Sequence, residues 1–145
     1  MARSLSLAAY LALTRRSSGS MPKIDVSRAD GALVWVNASD PKCIPALVQL
    51  CRRLMAQRAG LHIVLTVPAE LIETTEFSKD IVVQAVPPEH PGDIGLFLDH
   101  WKPDLCLWLG TSLRPALIDT AARRDVPLIL LDAPETGWDQ SRMSW

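Results

Sequence analysis

The stretch Phe97–Asp132, FLDHWKPDLCLWLGTSLRPALIDTAARRDVPLILLD, decides the fold class. It contains two short apolar runs, 105–109 and 126–131, each bounded by turn-forming residues. Such runs are typical of strands that are buried on both faces of a parallel sheet. Between them, apolar residues recur at helical spacing, which predicts a helix with Ser112 as its cap and Pro115 in its first turn. A strand–helix–strand unit of this kind requires a right-handed crossover.

The remainder of the chain continues the same alternation of apolar runs and helical patterns. We therefore expect three more strands and three more helices: strands at 33–38, 61–67 and 81–86, and helices at 40–59, 68–79 and 93–101. The fold class that follows is α/β, a Rossmann-like doubly wound parallel sheet of about five strands. In open sheets of this type, ligands bind beyond the carboxyl ends of the strands.

Composition excludes several classes of function. The chain has 145 residues, 48% of them hydrophobic, and a net charge of −1, so it has no general basic field for nucleic acid. No glycine-rich phosphate-binding motif occurs. The three cysteines, Cys43, Cys51 and Cys106, form no C-x-x-C pair, and we predict no metal site. Cys51 and Cys106 are interpreted as small buried hydrophobes of a reducing compartment.

The amino-terminal region predicts three parts. Residues 1–16 carry an apolar centre flanked by Arg3 and by Arg15 and Arg16, and this centre is too short to span a bilayer. It suits a helix lying in a membrane interface, although a disordered terminus or a helix packed on its own domain is an equal alternative. Residues 17–30 have the composition of a linker, and residues 31–145 form the domain.

Polar residues gather where three of the predicted strands end: Asn37, Ser39 and Asp40, then Thr66, and then Gly110, Thr111 and Ser112. Helices that start at such places can offer backbone N–H groups to an anion. Simple helix capping is the favoured interpretation of Ser39 and Asp40, because both residue types are strongly preferred at helix starts. A Ser39–Asp40–His90 triad can be drawn, but spacing alone does not fix its geometry. The residues by themselves therefore predict an α/β domain with an anion site at strand ends.

Three segments resemble a known family. GALVWVNAS at 31–39, PPEHPG at 87–92 and FLDHWKPDLCLWLGTSLRPALI at 97–118 are similar to G-P-L-I-W-I-H-A-x-S, P-x-D-x-P-G and F-L-x-x-W-x-P-D-L-x-I-x-x-E-T-E-L-W-P-N-L-I. These are motifs of the N-terminal domain of the 3-deoxy-D-manno-octulosonic acid (Kdo) transferases. The resemblance covers residues 1–135 and implies one half of a GT-B fold, in which two Rossmann-like domains face each other across a cleft.

The resemblance also implies a function, the transfer of Kdo from CMP-Kdo to a lipid A precursor in lipopolysaccharide core synthesis, without a cofactor. The N-terminal domain receives the lipid A precursor, and CMP-Kdo binds a C-terminal domain that has no counterpart in this chain. The implied location is peripheral, on the cytoplasmic face of the bacterial inner membrane, with residues 1–16 at the membrane surface. The implied acceptor-binding positions are Asn37, Ser39, Lys42, Gly110, Thr111, Ser112 and Arg114.

The chain departs from the family pattern at the chemistry. Cys43 occupies the position of the family's catalytic Glu, and a thiol with a pKa near 8.5 is a poor general base for a sugar hydroxyl. Asp40 is a possible substitute base, and Gly110-Thr111-Ser112 replaces a Glu-Thr-Glu. Because the implied donor site lies in a domain that has no counterpart here, we expect this chain alone to be inactive. Two alternatives remain: a non-catalytic lipid-binding or scaffolding domain, and an unrelated α/β domain for a small ligand.

Overall fold

The computed structural model describes residues 5–15, 23–77, 79–110 and 112–131. A five-stranded sheet with the order β3-β2-β1-β4-β5 forms its centre, and all four strand pairs are parallel. The elements run in the order α1 (Leu5–Thr14), β1 (Leu33–Ala38), a 3-10 turn (Pro41–Cys43), α2 (Ile44–Gln57), β2 (His62–Val67), α3 (Ala69–Ile72), β3 (Val82–Ala85), α4 (Pro91–Trp101), β4 (Leu105–Leu109), α5 (Pro115–Arg123) and β5 (Leu128–Leu131).

The sheet is wound in two directions from its centre. The chain moves outward from β1 through β2 to β3, returns to the other side of β1 as β4, and ends at the edge with β5. Helices α2 and α3 pack on one face, whereas α4, α5 and α1 pack on the other. The predicted α/β class and the doubly wound parallel arrangement are confirmed. The point of reversal lies between β1 and β4.

Alternation of side chains along the strands divides the core into two clusters. The tryptophan cluster lies under α4 and α5 and contains Trp35, Phe97, Trp101 and Trp108. The ring of Trp35 lies 5.1 Å from that of Phe97 and 6.1 Å from that of Trp108, both in tilted or edge-on geometry. The opposite cluster lies under α2 and includes Leu47, Cys51 and the intervening residues of the strands. The four buried rings of the tryptophan cluster lie on β1, β4 and α4, so they pack α4 against the sheet, whereas α5 contributes Ala116, Leu117 and Ala121 to the same cluster.

The pairing of β1 with β4 is fixed by a reciprocal contact at the start of both strands. The Leu33 N–H donates to the Asp104 carboxylate at 2.9 Å, and the Asp104 N–H donates to the Leu33 carbonyl at 2.9 Å. The same turn ends α4, because Lys102 adopts a left-handed conformation with φ of 41°. Asp104 therefore sets the register that pairs Asn37 with Trp108 four residues later.

Several predicted boundaries differ from the structure. Helix α3 spans four residues instead of twelve, and α4 begins at Pro91, two residues earlier than expected. The fifth strand is shorter than predicted and lies at the sheet edge. The prediction that this strand is buried on both faces was wrong, because the side chain of Ile129 is 48% exposed. An edge strand has a neighbour on one side only, so its side chains receive less cover.

Helix α1 packs on its own domain. Leu11 is buried against the tryptophan cluster and Leu7 contacts it, whereas Leu5 and Leu13 point outward with 90% and 66% exposure. Within the described residues no helix is long and apolar enough to cross a membrane. Arg3 and Arg16 lie outside the described part of the chain. One side of α1 is therefore packed on its own domain, which was one of the two alternatives, and its other side exposes apolar residues.

The two cysteines that were predicted to be buried hydrophobes are fully buried. Cys51 lies in the cluster under α2 and Cys106 lies in the tryptophan cluster. Burial raises the pKa of the Cys51 thiol to about 11 and also raises the pKa of Cys106. Both thiols therefore stay protonated and unreactive near neutral pH.

The core should respond to truncation at α5. Leu117 is fully buried between α5 and the sheet, so Leu117→Ala is expected to lower the free energy of unfolding by about 2–5 kcal/mol through lost burial and a cavity. Leu96 on α4 is exposed, and Leu96→Ala should change it by less than about 0.5 kcal/mol. Urea denaturation of both variants measures the contrast, and equal losses would contradict this core assignment.

Candidate functional site

The carboxyl ends of β1 and β4 lie side by side at the point where the winding reverses. Ala38 pairs with Leu109, so Ser39 and Gly110 are the first residues beyond the two strands. In doubly wound sheets this is the place where a crevice opens and ligands bind, because the connections leave in opposite directions. The structure therefore brings together Asn37, Ser39 and Gly110, as the sequence predicted.

Ser39 joins the two strand ends. Its backbone N–H and its hydroxyl both donate to the Leu109 carbonyl, at 3.2 and 2.9 Å. Gly110 has a φ of +114°, and a Cβ atom at this position would lie 1.9 Å from the Ser39 Oγ. Two independent features require glycine at position 110: its positive φ and the close approach of the Ser39 side chain. The Ser39 hydroxyl acts here as a structural bond between strands.

The residues after Ser39 form the 3-10 turn that leads into α2. The carboxylate of Asp40 accepts a hydrogen bond from the Lys42 N–H at 3.0 Å, which makes Asp40 the cap of this turn. Asp40 and Lys42 are exposed, and Cys43 is half-buried against the cluster under α2. The capping interpretation of Asp40 is confirmed, while its second carboxylate oxygen has no hydrogen bond within the described residues.

Three side chains form a buried polar chain across β1 and β2. The Trp35 indole N–H donates to the Thr66 hydroxyl at 2.8 Å, and the Thr66 hydroxyl lies 2.7 Å from the Asn37 Oδ1. Asn37 and Thr66 are paired in register and are almost fully buried. Asn37 precedes the last residue of β1, so this polar chain ends near the carboxyl end of the strand. Sequence reasoning identified Asn37 and Thr66 as strand-end residues but missed the role of Trp35.

The start of α5 is capped from another part of the chain. Arg114, and not the predicted Ser112, is the residue that precedes the first helical turn, and its side chain makes no capping bond. Instead, the Glu89 carboxylate accepts from the N–H groups of Ala116 and Leu117 at 2.7 and 3.3 Å. The prediction of Ser112 as cap is wrong, because Arg114 is still extended and the helix begins only at Pro115. A carboxylate at this end also satisfies the helix dipole.

Glu89 and Arg114 also fix the loop before α4. The Arg114 guanidinium donates to the Pro87 carbonyl at 3.3 Å, and the Tyr10 hydroxyl of α1 donates to Glu89 at 3.2 Å. Burial, and then the charge of Glu89 and this hydrogen bond, raise the pKa of Tyr10 above its ordinary value. The N-terminus of α5 is thus already neutralised by an internal anion. No sequence signal pairs Glu89 with a helix that starts 26 residues later.

Other predicted site residues are placed apart or lie outside the description. Thr111 lies outside the described residues, and Ser112 is exposed before α5. His90 caps α4, where its Nδ1 accepts from the Gly92 N–H at 3.2 Å. Among the described hydrogen bonds, none joins His90 to Ser39 or Asp40, so the triad that could be drawn is not assembled. No group of three potential metal ligands occurs in the ranges that the structure covers.

Comparison with known proteins identifies a family. A family model described as 3-deoxy-D-manno-octulosonic-acid transferase (kdotransferase) matches residues 13–135. A probable mitochondrial 3-deoxy-D-manno-octulosonic acid transferase of Arabidopsis thaliana is 29% identical over 110 residues. That match covers 73% of this chain and 24% of the plant protein. The chain therefore spans about a quarter of the length of this curated relative.

One solved structure supports the fold. The spinosyn rhamnosyltransferase SpnG in complex with thymidine diphosphate is similar with a TM-score of 0.50 and 21% identity, over 86% of this chain and 32% of that one. Its complex with spinosyn aglycone gives a TM-score of 0.49 over 78% of this chain. The first similarity supports the fold alone, and it agrees with one half of a GT-B glycosyltransferase.

The close approach of Ser39 to Gly110 can be tested against a second glycine. Gly60 also has a positive φ, of +79°, but a Cβ there would meet no atom within 4 Å. Gly60→Ala should therefore cost only the backbone strain, about 1–2 kcal/mol. Gly110→Ala should cost about 1–3 kcal/mol more, because the methyl group overlaps Ser39.

Removal of the Ser39 hydroxyl provides the matched rescue. The double variant S39A/G110A should recover part of the stability that G110A loses, and chemical denaturation of the four proteins in this cycle measures the coupling. Equal losses at Gly60 and Gly110, or a strictly additive cycle, would show that the two strand ends are not in contact.

Proposed function

The chain belongs to the 3-deoxy-D-manno-octulosonic acid (Kdo) transferase family, with residues 13–135 matching its N-terminal domain, and from this membership we propose that it binds the acceptor of Kdo transfer. The proposed acceptor is a lipid A precursor. CMP-Kdo, the proposed donor, would be held by a second Rossmann-like domain across the cleft. The observation that carries the proposal is the meeting of Asn37, Ser39 and Gly110 at the reversal point of a sheet with this ancestry.

The chemistry around this crevice suits an oxygen-rich ligand. Asn37 carries an amide at the end of β1, and Lys42 follows it on an exposed turn. Arg114 is half-buried immediately before α5, and its guanidinium donates to the Pro87 carbonyl. Amide, ammonium and guanidinium groups donate hydrogen bonds to phosphate and sugar oxygens. The N–H groups at the start of α5 take no part, since Glu89 already occupies them.

A catalytic role requires a general base, and Asp40 is the candidate that this chain offers. Proton transfer from a sugar hydroxyl needs a carboxylate within hydrogen-bond reach. One Asp40 oxygen accepts the Lys42 N–H, and the side chain is exposed beyond β1. Cys43 lies at the family's Glu position, but it is half-buried against the cluster under α2. The second candidate function follows from this arrangement: a lipid-binding or scaffolding domain without catalysis.

We further propose that α1 contacts the membrane surface. Its inner side is held by Leu11 and by the Tyr10–Glu89 hydrogen bond, so the helix is fixed to the domain. Its outer side presents Leu5 and Leu13, and Arg15 follows the helix in an exposed position. Apolar residues next to a cation suit the boundary between acyl chains and anionic headgroups. This would hold the crevice near a lipid acceptor at the cytoplasmic face of an inner membrane.

Acceptor binding is tested with two matched lysine variants of the full chain. Lys42 lies beyond the carboxyl end of β1, whereas Lys79 lies just before β3, at the amino ends of the parallel strands, and both are exposed. Lys42→Gln should weaken binding of detergent-dispersed lipid A precursor roughly twofold to fivefold, as for an exposed ion pair. Lys79→Gln should leave the affinity unchanged. Equal effects, or no binding by the unmodified chain, would contradict the proposal.

Transfer is tested with the same chain and CMP-Kdo. The 145-residue chain should release no CMP in the presence of the lipid A precursor, since the proposed donor site lies elsewhere. In a two-domain chain that includes this domain, Asp40→Asn should lower kcat by about 10²-fold or more if Asp40 is the base, while Cys43→Ser should not. Absence of transfer in the two-domain chain would favour the scaffolding function. CMP release measured by chromatography distinguishes the outcomes.

Membrane contact is tested on the most exposed leucine. Leu5→Glu adds a carboxylate in the first turn of α1, where it is compatible with the helix, but it should lower binding to anionic phospholipid vesicles by roughly tenfold. Ile72→Glu on α3, on the other face of the sheet, serves as the control and should have no effect. Vesicle sedimentation measures both, and unchanged binding of Leu5→Glu would exclude α1 as the contact.

A further inference from the structure

The polar chain Trp35–Thr66–Asn37 has a direction. An indole N–H can only donate, so the Thr66 oxygen accepts from Trp35 at 2.8 Å. The Thr66 hydroxyl hydrogen is then directed to an acceptor, and the Asn37 Oδ1 at 2.7 Å is closer than the Val36 carbonyl at 3.5 Å. The Asn37 oxygen therefore faces Thr66, and its amide nitrogen faces away from Thr66.

We propose that Thr66 is a positioning residue that holds the Asn37 amide with its N–H groups toward the bound acceptor. The inference rests on the proposed acceptor function and adds a polarity to the site: Asn37 donates and does not accept. The atom that it recognises is a hydrogen-bond-accepting oxygen, such as a phosphate or sugar oxygen of the lipid. Asn37 is 2% exposed, and no described residue accepts a hydrogen bond from its amide nitrogen.

Because Asn37 is buried, its amide nitrogen needs a hydrogen-bond acceptor. Buried polar groups nearly always have a hydrogen-bond partner, and the Asn37 amide nitrogen, near the carboxyl end of β1, obtains one from water or from a bound molecule. Without Thr66, the amide could turn over and present its oxygen, which would repel an anionic ligand. With Thr66, the Asn37 amide is already oriented before the ligand binds, so binding loses less conformational entropy.

The bond from Trp35 is not a general requirement of the core. Trp101 and Trp108 are also buried in the tryptophan cluster, yet their indole nitrogens have no hydrogen-bond partner among the described residues. The domain thus tolerates two tryptophans in which the N–H is unpaired. Trp35 differs from both because it lies two residues before Asn37 on β1, so that the two side chains point to the same face of the sheet. Its N–H bond is therefore explained by what it orients.

The experiment removes the hydroxyl without changing the shape of the side chain. Thr66→Val is nearly isosteric, Thr66→Ser keeps the hydroxyl, and Thr120→Val removes the hydroxyl of another threonine, on α5, which bonds only within its helix. Affinity for detergent-dispersed lipid A precursor is measured for the full chain. Thr66→Val should bind roughly threefold to tenfold more weakly, as for one lost or misdirected hydrogen bond, whereas Thr66→Ser and Thr120→Val should bind like the unmodified chain.

Two readouts separate orientation from stability. Asn37→Asp keeps the shape and removes both donors, so it should lose at least as much affinity as Thr66→Val. In ¹⁵N NMR spectra of the free chain, Thr66→Val should shift the Trp35 indole and Asn37 amide signals, and Thr66→Ser should largely retain them. Unchanged affinity of Thr66→Val, or equal losses in Thr66→Ser, would overturn the positioning role. Absence of binding by the unmodified chain would instead overturn the acceptor function, and the inference with it.

Discussion

The pairing of β1 with β4 is the constraint on which the rest of the molecule depends. It is held at its beginning by the reciprocal hydrogen bonds of Leu33 and Asp104, and at its end by the two bonds from Ser39 to the Leu109 carbonyl. Between these bonds the strands are buried on both faces, so a register shift would move every side chain to the wrong cluster. This pairing is also the point at which the sheet reverses its winding, and therefore the place where a crevice can form.

Much of the polar chemistry near this crevice is occupied by the fold itself. Ser39 joins the ends of β1 and β4, Asp40 caps the 3-10 turn, and Glu89, in the loop before α4, caps α5. Each of these side chains forms a hydrogen bond with a backbone group at the end of a strand or the start of a helix or turn. Within the described part of the chain, the groups that remain for the proposed ligand are the Asn37 amide nitrogen, Lys42, Arg114 and the Asp40 oxygen that makes no described hydrogen bond. A site of this composition is better suited to binding an oxygen-rich molecule than to activating one.

Helix α1 links the site to the surroundings of the domain. Tyr10 contacts the same Glu89 carboxylate that caps α5, so the helix with the exposed leucines and the loop beside the crevice share one anchor. Because Leu11 also enters the tryptophan cluster, α1 is an integral layer of the domain. The position of α1 relative to the carboxyl ends of β1 and β4 is thus fixed by packing.

The sequence by itself determined the class of fold, its five parallel strands and the strand ends that carry polar residues. The reason is that strands buried on both faces leave apolar runs, and Pro115 and Gly60 mark where helices begin and end. Contacts between residues that are distant in the sequence have no comparable sequence pattern. The donor for Glu89 lies 27 residues away, and the partner of Gly110 lies 71 residues away. Only the tertiary structure decided that Ser112 does not cap α5, that Ser39 fills the space above Gly110, and that Trp35 and Thr66 turn the Asn37 amide, because each of these depends on which strand lies next to which.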